Sequence, residues 1–359
     1  MLLVSLLLAA FAHSAQEPSD QPLGRLIVLN KAEASASLLD LNTGEERVRL
    51  PVGVGPHEVA VSPDGHWAVV ANYGTIVPGS SLTVIDLIAE LPVRTIDLGA
   101  AARPHGILYD PDGAHVWVTA EERKSLLRVR VADGVTVQEI PTPQPIGHMV
   151  VRAPYGHMFV SHIGGGGITP VRPMTNLHAQ QEPTENWKPG DFVPTGKGSE
   201  GIAIDPKGLA LWVGNRAEDT LSVLDPSNMK TLATIPAVGF PIRVQFTADG
   251  ATALVSCAQA GVLRFYSART MSEMGAPLDF RAQVKADRTE GRLLDEFGDS
   301  PAPIGIVCPP HSARAYVALA NADRIAEVDL PSRTVSRWLK AGKEPDGMAW
   351  YSGVVIVIR

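Results

Sequence analysis

Seven imperfect copies of one strand–turn–strand unit recur with a base period near ~40–45 residues. The chain also has 33 Gly and 29 Pro against only 19% charged residues. Together these predict an all-β fold, a seven-bladed β-propeller of four-stranded antiparallel blades closed by strands from both termini. The clearest copies are GPHEVAVSPDG from Gly55, RPHGILYDPDG from Arg103 and SEGIAIDPKG from Ser199. Weaker ones are IGHMVVRAPYG from Ile146, FPIRVQFTADG from Phe240, APIGIVCPPHSA from Ala302 and EPDGMAWYSG from Glu344.

In each copy an apolar or alternating inner strand runs into a Pro-Asp-Gly-type turn. Proline presets φ and glycine accepts φ > 0, which suits a hairpin. A second strand follows, such as WAVVANY, HVWVTAE, LALWVGN or RAYVALA, then a third such as LTVIDL or RIAEVDL, then a fourth. The N-terminal strands LIVLN, SASLLDL and ERVRLPV have no inner strand before them, and the C-terminal GMAWY supplies one. Both 26–30 and 354–359 read as the second strand of that closing blade, and the pattern alone leaves the choice open.

Residues 1–15 read as a signal peptide. The run MLLVSLLLAAFAHSA is too short to span a bilayer, and Ala10-Phe11-Ala12 offers a cleavage site. Residues 16–24 read as a spacer, and 25–359 as a single propeller domain with insertions near 164–199 and 281–301. The expected location is therefore periplasmic or extracellular. No later segment has the length of a transmembrane span. A net charge of −7 without a Lys/Arg cluster gives no footprint for nucleic acid. No C-x-x-C-H is present, which excludes covalently attached c-type haem. Cys257 and Cys308 fall at different heights of their strands and are expected to be unbonded.

The repeats quoted above resemble those of the YVTN-repeat propellers, the family that includes YncE-like exported proteins and stands close to the propeller lactonases. The resemblance runs from Arg25 to Tyr351. It implies the fold and leaves activity open, because one propeller scaffold hosts many functions.

Inner strands line the channel of a propeller, so the residues that open them form a ring at one mouth, here called the upper face. That ring is His57, His105, His148, Glu200, Ile242, Ile304 and Asp346. Imidazoles and carboxylates facing one axis suit a divalent metal, for which His57, His105 and His148 are the candidate ligands, or a small molecule. The competing reading is structural, with each His bonded to a neighbouring blade. The ends of the second strands add Asn30, Asn72, His162, Asn215 and Cys257 to this face, with Arg216 just beyond. The Asn residues read as turn-formers, and the run Gly164 to Gly167 as a hinge or a point of close backbone approach. Arg243 follows Ile242 by one residue, so period-two alternation turns it away from the side Ile242 faces.

The functional expectation is an exported binding protein that presents a small-molecule, metal or protein-partner site at the upper mouth. The alternative is a lactonase-like or muconate-cyclase-like enzyme acting on a carboxylate-bearing substrate at the same face. In it Glu200 or His148 would serve as acid or base, and Arg216 and Arg243 would bind the carboxylate. A cofactor other than a divalent metal is not indicated.

Overall fold

The computed structural model describes residues 24–100, 102–142, 144, 147–174, 186–287, 292 and 295–353. Residues 1–15, expected to form a signal peptide, nearly all of the expected spacer, the segment 354–359, His178 in the first insertion, and Arg288 and Glu290 in the second lie outside the described residues. Seven antiparallel sheets surround a central axis. Among the described residues there is no α-helix, and no helix long and apolar enough to cross a membrane.

Blade 1 is built from both ends of the chain. Its inner strand Pro345–Tyr351 pairs with Arg25–Asn30, which pairs in turn with Ser35–Asp40 and Glu46–Pro51. Residues 26–30 therefore supply the second strand of the closing blade. The inner strands of blades 2 to 7 are Pro56–Val61, Pro104–Tyr109, Gly147–Arg152, Ser199–Ile204, Pro241–Phe246 and Pro303–Val307. Each packs against the next, and the last packs against Pro345–Tyr351, which completes the ring.

Alternation along the strands explains why they are apolar on both sides. In the second strand of blade 2, Ala68 and Val70 enter the cluster shared with blade 1, while Val69 and Ala71 enter the one shared with blade 3. Every blade–blade interface carries one such cluster, and Trp117 and Trp212 are among its largest fully buried members. A strand covered on both faces reads as a continuous apolar run, whereas fourth strands such as Thr136–Pro141 are largely exposed and mix polar with apolar residues.

Two features fix the inner strands against one another. All seven carry a register shift near their first residues, for example between Pro56 and Glu58 and between Pro241 and Arg243. A bulge of this kind re-aims side chains. Four inner strands also place Gly beside the neighbouring backbone. A Cβ on Gly106 would lie 2.5 Å from the His148 carbonyl oxygen and one on Gly201 2.6 Å from that of Ile242. On Gly305 and Gly347 it would collide with the Asp346 and His57 carbonyls. Hydroxyls on second strands clamp the same backbone: Thr119 Oγ1 donates to the His148 carbonyl (2.8 Å), Ser161 Oγ to that of Glu200 (2.8 Å) and Ser256 Oγ to that of Ile304 (2.7 Å).

The insertions are ordered parts of their blades wherever they are described. In the first, Gly167–Met174 and Asn186–Pro189 are the third and fourth strands of blade 4, and Trp187 packs edge-on against Trp117 of blade 3. The glycine run is a tight turn, with Gly166 N–H donating to the His162 carbonyl at 2.8 Å. In the second, Arg292 is buried and ion-paired to Asp323 (2.5 Å) and Asp287 (2.8 Å), so this charge anchors the loop instead of facing water. Cys257 and Cys308 are both free thiols, and burial pushes each up to about 12.

Gly305→Ala tests the packing limit at the seam between blades 7 and 1. The added methyl meets a backbone carbonyl that cannot rotate away, so chemical denaturation should show a loss of about 3 kcal/mol.

Candidate functional site at the channel mouth

The residues that open the inner strands do gather at one mouth. His57, His148, Glu200, Ile242, Ile304 and Asp346 line a single open cavity of about 570 Å³. His105 lies outside this lining, fully buried between His57 and His148, with ring centroids 4.3 and 3.4 Å away. A second ring comes from the ends of the second strands: Lys31, Glu121, Ile163 and Arg216, each just past its strand, and Tyr73, near the end of Trp67–Gly74, also line the cavity, and Ala258 and Ala320 occupy the equivalent places in blades 6 and 7. Blades 1 to 5 thus build a mostly polar sector. Opposite it, Ile242, Ile304, Ala258 and Ala320 form an apolar one, backed by Phe240 and Phe297.

The polar sector is a chain of charged contacts. Lys31 Nζ donates to Asp346 Oδ2 at 2.9 Å, and His57 Nδ1 stands 2.9 Å from the same oxygen. His148 touches Glu121 through Nδ1 and Glu200 through Nε2 (3.2 Å). Glu200 also receives Arg243 Nη1 (3.1 Å) and Arg216 Nη1. The other Arg243 nitrogen meets Glu58, and Tyr73 O–H donates to Glu121 at 2.9 Å.

Titration follows from these contacts. Burial opposes charge on His148, but Glu200 and Glu121 outweigh it and raise its pKa. Burial would likewise raise Glu200, yet His148, Arg216 and Arg243 hold it well below the usual carboxylate range. Asp346 is held low against burial chiefly by Lys31. Burial, then the Lys31 charge, pushes His57 down to about 4, and burial drives His105 well below the ordinary imidazole value. These contacts therefore favour the charged form of His148 and the neutral forms of His57 and His105.

Three expectations need correction. Arg243 does not turn away from the channel: the bulge between Pro241 and Arg243 breaks the alternation, so Arg243 lines the cavity alongside Ile242. The equivalent bulge in blade 2, between Pro56 and Glu58, brings Glu58 within reach of Arg243. His162 is not at the mouth. It is buried inside blade 4, with Nε2 2.8 Å from Thr169 Oγ1, because the last residue of a second strand points between strands two and three. For the same reason the Asn residues there are staples and not turn-formers. Asn72 Nδ2 donates to Ser81 and Thr83, both at 3.0 Å, while its Oδ1 accepts Gly53 N–H at 3.0 Å; Asn30 binds Ser35, Ser37 and Gly342 in the same way. Lys31 and Tyr73 escaped the sequence analysis because each lies one position past a staple, Asn30 and Asn72, and Glu121 because the residue before it, Ala120, carries no polar marker.

No protein family and no curated protein matches the chain by sequence. Solved structures do. The chain is similar to Kuenenia stuttgartiensis hydrazine synthase, at 14% identity over 89% of this chain and 99% of the other, with a TM-score of 0.64. It is also similar to the dihydro-heme d1 dehydrogenase NirN in complex with DHE, at 16% identity over 92% and 66%, TM-score 0.61. A third similar structure, a protein from Lactobacillus plantarum, is 12% identical over 91% and 99%, TM-score 0.69. At such identities the likeness is one of fold.

Two measurements probe this geometry. Arg243→Met leaves Glu58 and Glu200 buried without their shared cation and should cost about 3–5 kcal/mol in chemical denaturation, part of it recovered in the double variant with Glu58→Gln. The second concerns His162, which burial pushes down to about 4. The unfolded chain takes up this proton first, near pH 6.5, so the contribution to stability is complete above that value and is lost as the pH falls toward 4. Denaturation at pH 7 and 4.5 should show wild type losing about 2 kcal/mol more than His162→Asn over that interval.

Proposed function

We propose that this protein is an exported β-propeller that binds a small carboxylate-bearing molecule with an apolar body at the upper mouth of its channel. Arg216 carries the reading. It lines the cavity with 29% of its side chain exposed, and among the described residues one nitrogen bonds Glu200 while the guanidinium rests over the Phe240 ring. The remaining N–H groups are available to a planar anion, which a guanidinium grips through two parallel bonds. Lys124 lines the same mouth, exposed and without an acidic partner among the described residues.

The wall formed by Ile242 and Ile304 suits the apolar body of such a ligand, and the cavity volume falls within the ~300–1,000 Å³ usual for small-molecule sites. Binding is favoured over turnover because every carboxylate of the polar sector already faces a cation or a Tyr hydroxyl, which leaves none free as a general base. Export is supported by the apolar run in residues 1–15 with its Ala-x-Ala site and by the YVTN-like repeats.

Titration calorimetry against short aliphatic and aromatic carboxylates should find at least one ligand. Arg216→Gln should weaken it by ~10–100-fold with unchanged melting, as expected for a charged hydrogen bond. Failure of every carboxylate to bind below ~1 mM, or full affinity in Arg216→Gln, overturns the proposal.

A further inference from the structure

Three groups of ligand-type side chains converge in the molecule: His57 with Glu58 and His105; His105 with Glu121 and His148; and Asp110 with Asp112 and His115. In the first, the potential ligands already face protein cations, because Lys31 Nζ lies 3.2 Å from His57 Nε2 and Arg243 binds Glu58. In the third, Asp110 is held by Arg128 (2.6 Å) and Arg152 (2.9 Å) on the opposite side of the propeller. The second group differs. The ligand atoms of its three members lie within 4.8 Å of one another, and all three side chains are buried.

We propose that His105, Glu121 and His148 form a binding site for a divalent first-row transition metal in the channel wall, with its open coordination positions facing the cavity. His105 points to a ligand most directly. It is wholly buried and neither ring nitrogen has a hydrogen-bond partner, an arrangement that is costly unless something else bonds it.

The surroundings of the other two members resemble the outer partners of a metal site. His148 turns Nε2 toward Glu200 at 3.2 Å, which fixes the ring and aims Nδ1 at Glu121. A carboxylate behind a ligating imidazole is the usual device for orienting it. Glu121 is held from behind by the Tyr73 hydroxyl at 2.9 Å, leaving its other oxygen for the metal. Glu200 is itself held by Arg243 at 3.1 Å and by Arg216.

Without an ion, the close contact of His148 Nδ1 with Glu121 is bridged by a proton, and a metal would take that place. Ligation by His105 requires its ring, whose centroid lies 3.4 Å from that of His148, to turn out of this stack so that a nitrogen lone pair faces the ion. Two imidazoles and one carboxylate select zinc-like ions over magnesium or calcium, which prefer oxygen donors. His57, Nδ1 toward Asp346 and Nε2 toward Lys31, belongs to the neighbouring network instead. Glu121 and His148 both line the cavity, so a metal held there is open to it on one side, as in sites that keep a position for an exchangeable ligand.

The test uses the untagged chain, stripped with a chelator and titrated with zinc alone. No organic ligand is added, so the result stands apart from the fate of the carboxylate reading. One equivalent should bind with a Kd of ~10 µM or tighter. Glu121→Gln and His105→Ala should each weaken binding by at least ~100-fold, Glu200→Gln by ~10-fold, and His57→Ala should leave it intact. Cobalt(II) should give the intense visible bands of a four- or five-coordinate N/O site in wild type and lose them in Glu121→Gln. If variants fail to fold, the cobalt spectrum of wild type decides. Less than ~0.1 equivalent bound, a six-coordinate aquo-like cobalt spectrum, or binding that survives Glu121→Gln but not His57→Ala overturns the assignment.

Discussion

Seven strands converging on one axis leave almost no space between neighbouring backbones, and most of what the channel mouth displays follows from that crowding. Where the backbones are closest, Gly106, Gly201, Gly305 and Gly347 remove the Cβ that would collide with the next carbonyl. Just there the strand bulges, and two successive residues look at the axis instead of one. In blades 2 and 6 the second of the pair is not glycine but Glu58 and Arg243, and these two side chains, 185 residues apart, meet across the channel. Packing necessity and site construction are here the same geometric fact.

The same crowding sets the electrostatics. Charges forced into a narrow, poorly solvated mouth survive only in pairs. The polar sector accordingly threads acids and bases alternately from Tyr73 through Glu121, His148, Glu200 and Arg243 to Glu58. Blades 6 and 7 take the other solution and present Ile242, Ile304 and two alanines. A cavity with one charged wall and one apolar wall orients an amphiphilic ligand before any specific contact is made, because each end has only one favourable place to lie.

Much of this was legible in the residues. The Pro-Asp-Gly turns and the unpaired N-terminal strands gave blade number and closure, because turn chemistry and strand pairing are local. The ring of opening residues was legible too, since it follows from strand direction. Arg243 was misjudged because alternation assumes a regular strand, and a bulge that exists to relieve contact with another blade has no local signature. His162 was misplaced by one residue at a strand end, where a single step changes the side chain from facing the axis to facing its own blade. Lys31, Tyr73 and Glu121 sit where second strands end, at positions whose approach to the axis only the closed ring defines.

That closure has a consequence for how the molecule comes into being. Lys31 and Asp346 are 315 residues apart and touch only when Pro345–Tyr351 lies beside Arg25–Asn30. A growing chain carries Lys31 long before Asp346, which arrives 315 residues later with the strand that closes the ring. Until then the first three strands present an unpaired edge, and one side of the cavity does not exist. The complete cavity is therefore a property of the finished circle. Contacts of such long sequence separation are slow to form because loop closure precedes any compensating contact. The mouth cannot be assembled early, in part, or before the closing blade has joined its two halves.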